Sequence, residues 1–212
     1  MKNRYKGETC LVLGNGPSLK DVPLKFLNKY TTFGTNRIYL IPKFTPTYYV
    51  AVNGNIINQS IEEINAIDAT KFISAEFASK IKGAHPLADN GRPHFSKNPF
   101  DVLYEGFSVT YVCLQLAYWM GFTTVLLVGV DHKYPTSNGN ANVLTSAPNG
   151  NHFTDDYYKE GEVWNNPDLV RSAKAFELAQ EAFSKSRPKR HIINLTKDTG
   201  LDVFTKGSIS KW

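Results

Sequence analysis

Residues 10–18 read CLVLGNGPS, an apolar run that breaks into a turn rich in glycine and asparagine. An apolar run bounded by turn residues is typical of a buried strand in a parallel sheet. Glycines directly after a strand let the backbone come close to another group, and Pro17 suits the first position of a helical turn. The stretch therefore predicts a strand and a turn at which something approaches the chain closely.

Five further short runs of apolar or β-branched residues follow, namely TTFGT, TYYVAV, KFIS, TVLLVG and HIINL. The stretches between them can be helical, and this alternation predicts an α/β fold with a mainly parallel sheet flanked by helices. A chain of 212 residues with 42% hydrophobic content fits one compact unit. We predict a single Rossmann-like domain over residues 1–212.

Two helices stand out. SVTYVCLQLAYWMG, at residues 108–121, has Ser108 as a good amino-terminal cap and Gly121 as a good terminator. Because the residues between them are apolar nearly all round, this helix should be buried against the sheet. A second helix is predicted from about Asp168 to Ser186, with its apolar residues on one side.

Two segments lack any regular pattern. Residues 82–101 form an irregular excursion that contains His85 and His94, both candidates for an acceptor site. Residues from about 132 to 164 are polar and rich in Asn, Gly and Pro. A segment this long inside a compact domain is usually functional, so we interpret it as a lid-like insertion.

The net charge of +5 is compatible with a nucleic-acid partner, but the basic residues are scattered. Their one dense cluster is more simply a solvated loop, and it comprises Lys185, Arg187, Lys189 and Arg190. We predict no nucleic-acid binding. The mild positive charge suits an anionic small substrate and is compatible with peripheral membrane contact; an oligomer is compatible with the sequence as well.

Cys10 and Cys113 lie in apolar segments and share no metal-ligand spacing, which predicts buried free thiols in a reducing compartment. The charged amino-terminal residues do not lead into an apolar run of signal-peptide length, and no run approaches the ~20 apolar residues of a membrane span. These features predict a cytoplasmic protein.

The glycine-rich turn does not fit the common nucleotide motifs. A dinucleotide-binding turn needs a third glycine where Leu19 stands, and an acidic residue after the next strand, where this chain has Asn36. No Gly-Lys-Ser/Thr follows at the distance of a phosphate-binding Walker loop. Backbone amides of the turn, including that of Ser18, could hold a phosphate, but an ordinary tight turn explains the sequence equally well.

Several predicted strands end in a polar side chain: Asn15, Asn36, Asn53 and Asp131. In a parallel sheet these residues meet at the carboxyl edge, where ligands bind, and amides with a carboxylate would suit a base edge and ribose hydroxyls. A single asparagine after a strand is usually only a turn residue. Four such positions together favour a binding site.

The amino terminus of the buried helix adds a place for a phosphate. Ser108, Val109 and Thr110 bring unpaired amides and a partial positive charge there. No residues have the spacing of metal ligands, and Asp155 with Asp156 is best explained as a solvated pair. We therefore predict no bound metal.

Several blocks together resemble a known superfamily: GNGPSLK, TNRIY, YYVAVN, GFSVTYVCLQLAYWMGFTTVLLVGVDHKY and NHFTDDYY. They are similar to bacterial proteins grouped with the archaeal 6-hydroxymethyl-7,8-dihydropterin pyrophosphokinases and to the motility accessory factors linked to flagellin glycosylation. More distantly, they resemble the small bacterial sialyltransferases that use CMP-sialic acid. The likeness runs in blocks from about residue 11 to residue 209.

The resemblance to the sialyltransferases implies nucleotide-binding roles for Gly14, Asn15, Gly16, Asn36, Asn53, Ser108, Gly129 and Asp131. It places Tyr134 near a tyrosine that helps the departing phosphate. Those enzymes carry a basic histidine before the last long helix, where this chain has Val163 and Trp164. His152 is the nearest replacement; it could act as the general base, or it could pin the loop by hydrogen bonding to backbone.

Three functions follow as hypotheses. The leading one is a transferase of surface-glycan assembly that binds a CMP-activated sugar and transfers it to a glycan or small-molecule acceptor without a metal or other cofactor. The runner-up is a pyrophosphokinase that uses ATP and Mg²⁺, with Asp131 as the well-placed carboxylate. The third is a nucleotide-binding module without catalysis.

Overall fold

The computed structural model describes residues 1–134, 143–144 and 150–212. Ten strands are present in this part of the chain: β1 (Thr9–Leu13), β2 (Thr31–Thr35), β3 (Tyr48–Ala51), β4 (Thr70–Ser74), β5 (Ala84–Leu87), β6 (Thr124–Val128), β7 (Val143–Leu144), β8 (Trp164–Asn165), β9 (His191–Asn194) and β10 (Thr205–Lys206). Eight of them form one parallel sheet in the order β10-β9-β6-β1-β2-β3-β4-β5. β7 and β8 make a small antiparallel pair. The predicted Rossmann-like α/β fold is confirmed.

The described helices are α1 (Leu24–Leu27), α2 (Gly54–Gln59), α3 (Ile61–Ala66), α4 (Val109–Met120) and α5 (Leu169–Ser184). Both predicted helices are confirmed. α4 begins after Ser108 and ends before Gly121, whose φ of 98° is the left-handed conformation that terminates helices. α5 begins after Asp168, whose side chain accepts a hydrogen bond from the Arg171 amide, and it ends two residues before the predicted Ser186.

Alternate residues of each strand pack on opposite faces of the sheet, as the two-residue repeat of a strand requires. Cys10 and Val12 face α4 and α5, whereas Leu11 and Leu13 face the layer of α1, α2 and α3. α4 is buried along almost its whole length, which explains its nearly uniform apolar sequence. Cys10 and Cys113 are both buried free thiols, as predicted.

The strand order creates a topological switch beside β1. From β1 the chain moves outward through β2 to β5, and it then returns to place β6 on the other side of β1. Leu13 pairs with Gly34 of β2 and with Val128 of β6, so these three strands end at the same level. Open parallel sheets bind ligands in the crevice that such a switch leaves at the carboxyl ends of the strands.

The irregular segments hold structure that the sequence did not reveal. β5 lies within residues 82–101, and β8 lies at the end of the predicted lid. Residues 135–142 and 145–149 of that lid lie outside the described residues, so the lid interpretation stays a prediction. None of the helices in the described ranges has the length and apolar character needed to cross a membrane.

Candidate functional site at the switch between β1 and β6

A cavity of about 450 Å³ opens at the switch point. Its wall contains twelve of the thirteen residues selected from the sequence: Gly14, Asn15, Gly16, Asn36, Asn53, Ser108, Val109, Thr110, Gly129, Asp131, Tyr134 and His152. The thirteenth, Ser18, is not part of this wall but is hydrogen-bonded to Asp131. Residues spread over most of the chain therefore meet at one place, as the strand-end pattern predicts.

The glycines of the opening turn are explained by a neighbouring loop of the same chain. A Cβ atom on Gly14 would lie 2.3 Å from the Gly129 carbonyl oxygen, and one on Gly16 would lie 2.0 Å from Oδ2 of Asp131. No side chain fits at such distances. The predicted close approach is thus the approach of the turn after β1 to the loop after β6, which brings Asp131 to the cavity.

The turn fixes the Asp131 carboxylate. Ser18 donates to it from its backbone amide (3.2 Å) and from its hydroxyl (2.8 Å). Burial raises the pKa of Asp131, and the hydrogen bonds from Ser18 oppose this rise. Ser18 therefore acts as a positioning residue, and it leaves carboxylate lone pairs for a ligand, because each oxygen accepts only one of the two bonds.

Asn15 presents a hydrogen-bond acceptor whose direction is fixed. Its Nδ2 donates to the Thr35 carbonyl oxygen (3.1 Å) and to the Thr35 hydroxyl (2.7 Å), while that hydroxyl donates to the Leu13 carbonyl. The Thr35 hydroxyl must therefore accept from Asn15, which rules out the flipped amide. Oδ1 of Asn15 is buried and has no hydrogen-bond partner among the described residues.

Two further amide oxygens resemble the buried Oδ1 of Asn15. Oδ1 of Asn36 and Oδ1 of Asn166 are buried without a hydrogen-bond partner in the part of the chain that the structure describes, and both residues line the cavity. Buried polar atoms in folded proteins are rarely left unpaired. Three such acceptors around one cavity are what a ligand rich in donors would satisfy.

Asn53 differs from the other strand-end asparagines. Its Oδ1 caps α2 by accepting from the amides of Asn55 and Ile56, and its Nδ2 donates to Asn165 (3.3 Å). The side chain lines the cavity but is already used in stabilising the helix. Its predicted role in nucleotide binding stays a prediction.

The amino terminus of α4 is uncapped, in contrast to that of α2. Ser108 occupies the cap position, but its hydroxyl accepts no capping hydrogen bond. The side chain and the first turn of α4 both face the cavity. Unsatisfied amides and the positive end of the helix dipole favour an anionic group such as a phosphate at this point.

Arg37, which the sequence analysis did not select, holds the segment around His152 against the sheet. Its guanidinium is 3% exposed; it donates to the Tyr157 carbonyl (2.5 Å), to Glu162 (2.6 Å) and to Gln59 (3.2 Å). A second bond joins Gln59 to the Val163 carbonyl (3.2 Å). Nothing in TNRI marks this arginine as buried, because two of its partners, Tyr157 and Glu162, lie more than a hundred residues away.

His152 lies between aromatic rings. It stacks on Tyr157 with ring centroids 3.9 Å apart, and it meets Tyr158 edge to face with ring centroids 5.4 Å apart. Burial, with a smaller effect of the Arg37 charge, lowers the pKa of His152 to about 4, so its ring is neutral at pH 7. Tyr134 is protonated at that pH, because burial and the charge of Asp131 raise its pKa to about 12.

Glu105 also lines the cavity, and the sequence analysis missed it. Burial, together with the charges of Asp89 and Glu76, raises the pKa of Glu105 to about 7. A lone glutamate before GFSV gives no sequence signal. Glu105 stands out only through its acidic neighbours, because Glu76 follows β4 and Asp89 follows β5.

Among the other histidines, His132 lines the cavity, whereas His85 and His94 do not. His132 follows Asp131 beyond the end of β6 at Val128 and has a φ of 51°. It lines the cavity, with Nε2 3.2 Å from the Ser172 hydroxyl. His85 packs on Phe72, while His94 contacts the Arg92 carbonyl; neither lines this cavity.

Within the described residues, no three His, Cys, Asp or Glu side chains come together as a metal site. Magnesium in nucleotide sites is commonly held by one or two carboxylates and the phosphates themselves, so Asp131 alone would be a sufficient protein ligand.

A comparison with known protein families shows to which family the chain is related. The family described as 6-hydroxymethylpterin diphosphokinase MptE-like matches residues 1–137. The chain belongs to this MptE-like family. The matched part contains β1 to β6, α4 and the sheet-edge residues of the cavity, including Asp131. The resemblance drawn from the motifs is confirmed.

A solved structure supports the fold of this MptE-like chain. It is similar to the MAf glycosyltransferase from Magnetospirillum magneticum AMB-1, with a TM-score of 0.65 and 14% sequence identity. The match covers 100% of this chain and 35% of that protein, so this chain spans about a third of its relative's length. A comparison with curated proteins found no significant match.

Proposed function

We propose that the protein is a transferase that binds a CMP-activated sugar at the switch point and transfers the sugar to an acceptor hydroxyl in surface-glycan assembly. The observation that carries the proposal is the set of three unpartnered amide oxygens, on Asn15, Asn36 and Asn166, beside the uncapped terminus of α4. Both the MptE-like family and the MAf glycosyltransferase carry names of group-transferring enzymes, which supports the general class.

The acceptors favour cytidine over uridine. Cytosine offers an exocyclic amine that can donate to an amide oxygen, whereas uracil has a carbonyl oxygen at that position. Ribose hydroxyls can donate to the remaining amide oxygens and to Asp131. The cavity of about 450 Å³ lies in the size range of small-ligand sites.

The leaving group departs toward α4 in this proposal. The bond between the sugar and the phosphate breaks, CMP takes the electron pair, and the acceptor oxygen bonds to the sugar. Ser108, the first amides of α4 and the protonated hydroxyl of Tyr134 stabilise the phosphate. The acceptor proton needs a base, and His152 is the candidate from the sequence.

The test is release of CMP from CMP-activated sugars in the presence of a chelator. The proposal expects turnover that depends on an acceptor hydroxyl, and weaker binding of CMP in Asp131→Asn. Binding of other nucleotides without any release of CMP contradicts it. Tight CMP binding without turnover would instead indicate the non-catalytic module.

A second function is favoured by the family description, which names a diphosphokinase. In that case Asp131 would hold Mg²⁺ on the phosphates of ATP. Formation of AMP that requires ATP, Mg²⁺ and a hydroxymethylpterin establishes this alternative, and Asp131→Asn then abolishes activity. A cytoplasmic location is part of either proposal, supported by the buried free thiols Cys10 and Cys113.

A further inference from the structure

A second cavity adjoins the first. It has a volume of about 640 Å³ and lies at the carboxyl ends of β3, β4 and β5. Four residues line both cavities, and they form the junction: Val52, Asn53, Glu105 and Asn165. Glu105 is the acidic residue of this junction.

The backbone of Glu105 is fixed on both sides. Its amide donates to Oδ1 of Asp89 (3.3 Å), and Leu103, two residues earlier, bonds to the backbone beside β5. Its carbonyl accepts from the Ser108 amide (3.2 Å), which ties it to the start of α4. Glu105 thus stands one turn before the helix end that would hold the leaving phosphate.

Within the described ranges, the side chain of Glu105 has no competing partner. Its carboxylate makes no hydrogen bond or ion pair with any described residue, whereas the other buried-site acids do: Asp131 accepts from Ser18, and Glu162 from Arg37. A half-buried carboxylate without a partner at the junction of two cavities is free to accept a proton from a molecule that enters there.

We propose, on the basis of the proposed sugar transfer, that Glu105 is the catalytic base, and that the acceptor hydroxyl reaches it from the second cavity. The acceptor oxygen bonds to the sugar as the bond from sugar to phosphate breaks. CMP leaves with the electron pair, and the acceptor proton moves to the Glu105 carboxylate and then to solvent.

The electrostatics of the junction suit this role. A base works best when its pKa is close to the working pH, and that of Glu105 is about 7 whereas that of His152 is about 4. Burial raises the pKa of Glu105 most, and the charges of Asp89 after β5 and Glu76 after β4 raise it further. From α5, Arg171 lines the main cavity but is paired with Asp168, and across that cavity stand Asp131, His132, Lys133 and His152.

The second cavity also indicates the acceptor class. Glu76 and Asp89 line it together with Glu105, and the ring of Phe77 and several amide and hydroxyl groups complete the wall. Three carboxylates repel an anion, while aromatic and amide groups suit a sugar. The acceptor is therefore a neutral or cationic polyhydroxyl compound rather than a phosphorylated one.

The experiment compares the pH dependence of turnover in wild type, Glu105→Gln, Asp89→Asn and His152→Asn, with CMP affinity measured for each. Glu105→Gln is expected to bind CMP as wild type does and to lose at least ~100-fold in kcat. Its profile should lack the rise near pH 7. Asp89→Asn should move that rise to lower pH, because it removes a like charge, and His152→Asn should keep it.

Two readouts separate the possible failures. Carboxyl carbon NMR should show one glutamate that titrates near pH 7 and is absent in Glu105→Gln, whatever the protein's reaction is. If wild type turns over and Glu105→Gln matches it, the assignment of Glu105 is overturned while the proposed function stands. If wild type binds CMP but transfers no sugar, the proposed function fails and the base role fails with it.

Folding of the Glu105→Gln variant is checked by its melting temperature. The folded-state pKa of Glu105 is above the unfolded value, so wild type loses stability as the pH rises from about 4.3 to 7. Glu105→Gln should therefore be at least as stable as wild type at pH 8.

Discussion

The two walls of the main cavity are built in different ways. The sheet wall consists of Asn15, Asn36 and Asp131, which follow three neighbouring parallel strands and are placed by the register of β1 with β2 and β6. The lid wall, residues 151–166, contains one short 3-10 helix (Asp155–Tyr157), turns and the two residues of β8. Side-chain contacts, chiefly those of Arg37, hold it against the sheet.

The difference between the two walls coincides with the extent of the family match. The MptE-like match over residues 1–137 contains the sheet wall and ends before the described part of the lid wall. In the proposed function, the residues of the sheet wall would contact the nucleotide from positions that the register of the strands sets. Besides Arg37, the lid wall is held by hydrogen bonds from the Phe153 amide to the Asn15 carbonyl and from Gln59 to the Val163 carbonyl. It should therefore loosen when the guanidinium is removed.

Arg37→Met should give the largest effect. It leaves the Glu162 side chain, 14% exposed, with only the Lys159 amide as hydrogen-bond donor among the described residues, and it removes the bond to the Tyr157 carbonyl. We expect the free energy of unfolding in urea to fall by ~3 kcal/mol and hydrogen exchange to accelerate over residues 151–163.

Lys185→Met is the control for this change, because it breaks an exposed pair with Glu181 and should cost less than ~1 kcal/mol. Similar losses in the two variants would show that the lid wall does not depend on Arg37.

Gly16→Ala should damage the sheet wall. The new Cβ atom would lie 2.0 Å from the Asp131 carboxylate, so the turn or Asp131 must move. We expect a loss of ~2 kcal/mol in stability and, by isothermal calorimetry, CMP binding weakened at least ~10-fold. Gly83→Ala is the control: its site has φ +70° and open space, so only backbone strain of ~1 kcal/mol is expected, with unchanged CMP binding.

Asn36→Gly should weaken CMP binding, whereas Asn53→Ala should lower stability. Glycine keeps the φ of 49° at position 36 and removes the unpartnered oxygen, so CMP affinity should fall ~10-fold with little change in stability. Asn53→Ala removes the cap of α2 and should cost ~1 kcal/mol of stability with CMP affinity nearly unchanged. Equal effects on binding would mean that both side chains contact the ligand.

The smallest effect is a pH dependence of the lid wall. Burial raises the pKa of Glu162, but the hydrogen bonds from Arg37 and from the Lys159 amide, together with the positive charges of these two residues, outweigh it and hold the pKa below its ordinary value. The ion pair thus stabilises the fold above the unfolded pKa of about 4.3, and this contribution is lost as the pH falls further.

Urea unfolding of wild type and Glu162→Gln measures this contribution. The difference between the two should be ~1 kcal/mol at pH 6 and should shrink toward pH 3. A difference that is constant over this range would contradict the ion pair's role.

The sequence predicted the sheet wall because strand-end residues of a parallel sheet meet regardless of how far apart they are in the chain. It missed β5 because its four residues include Pro86 and His85 and show no clear alternation. The sequence could not tell that Asn53 caps a helix whereas the Asn36 side chain does not, because an asparagine between a strand and a helix can either cap the helix or face a ligand. The partners of Arg37 and the acidic neighbours of Glu105 come close only in the folded chain.

Calorimetric titration of the protein with CMP and with UMP, each in chelator, tests the central claim most directly. The three unpartnered amide oxygens predict metal-independent binding of CMP at least ~10-fold tighter than that of UMP, and loss of this preference in Asn36→Gly. Equal affinities, or binding seen only for ATP with Mg²⁺, would contradict a cytidine site at the switch between β1 and β6.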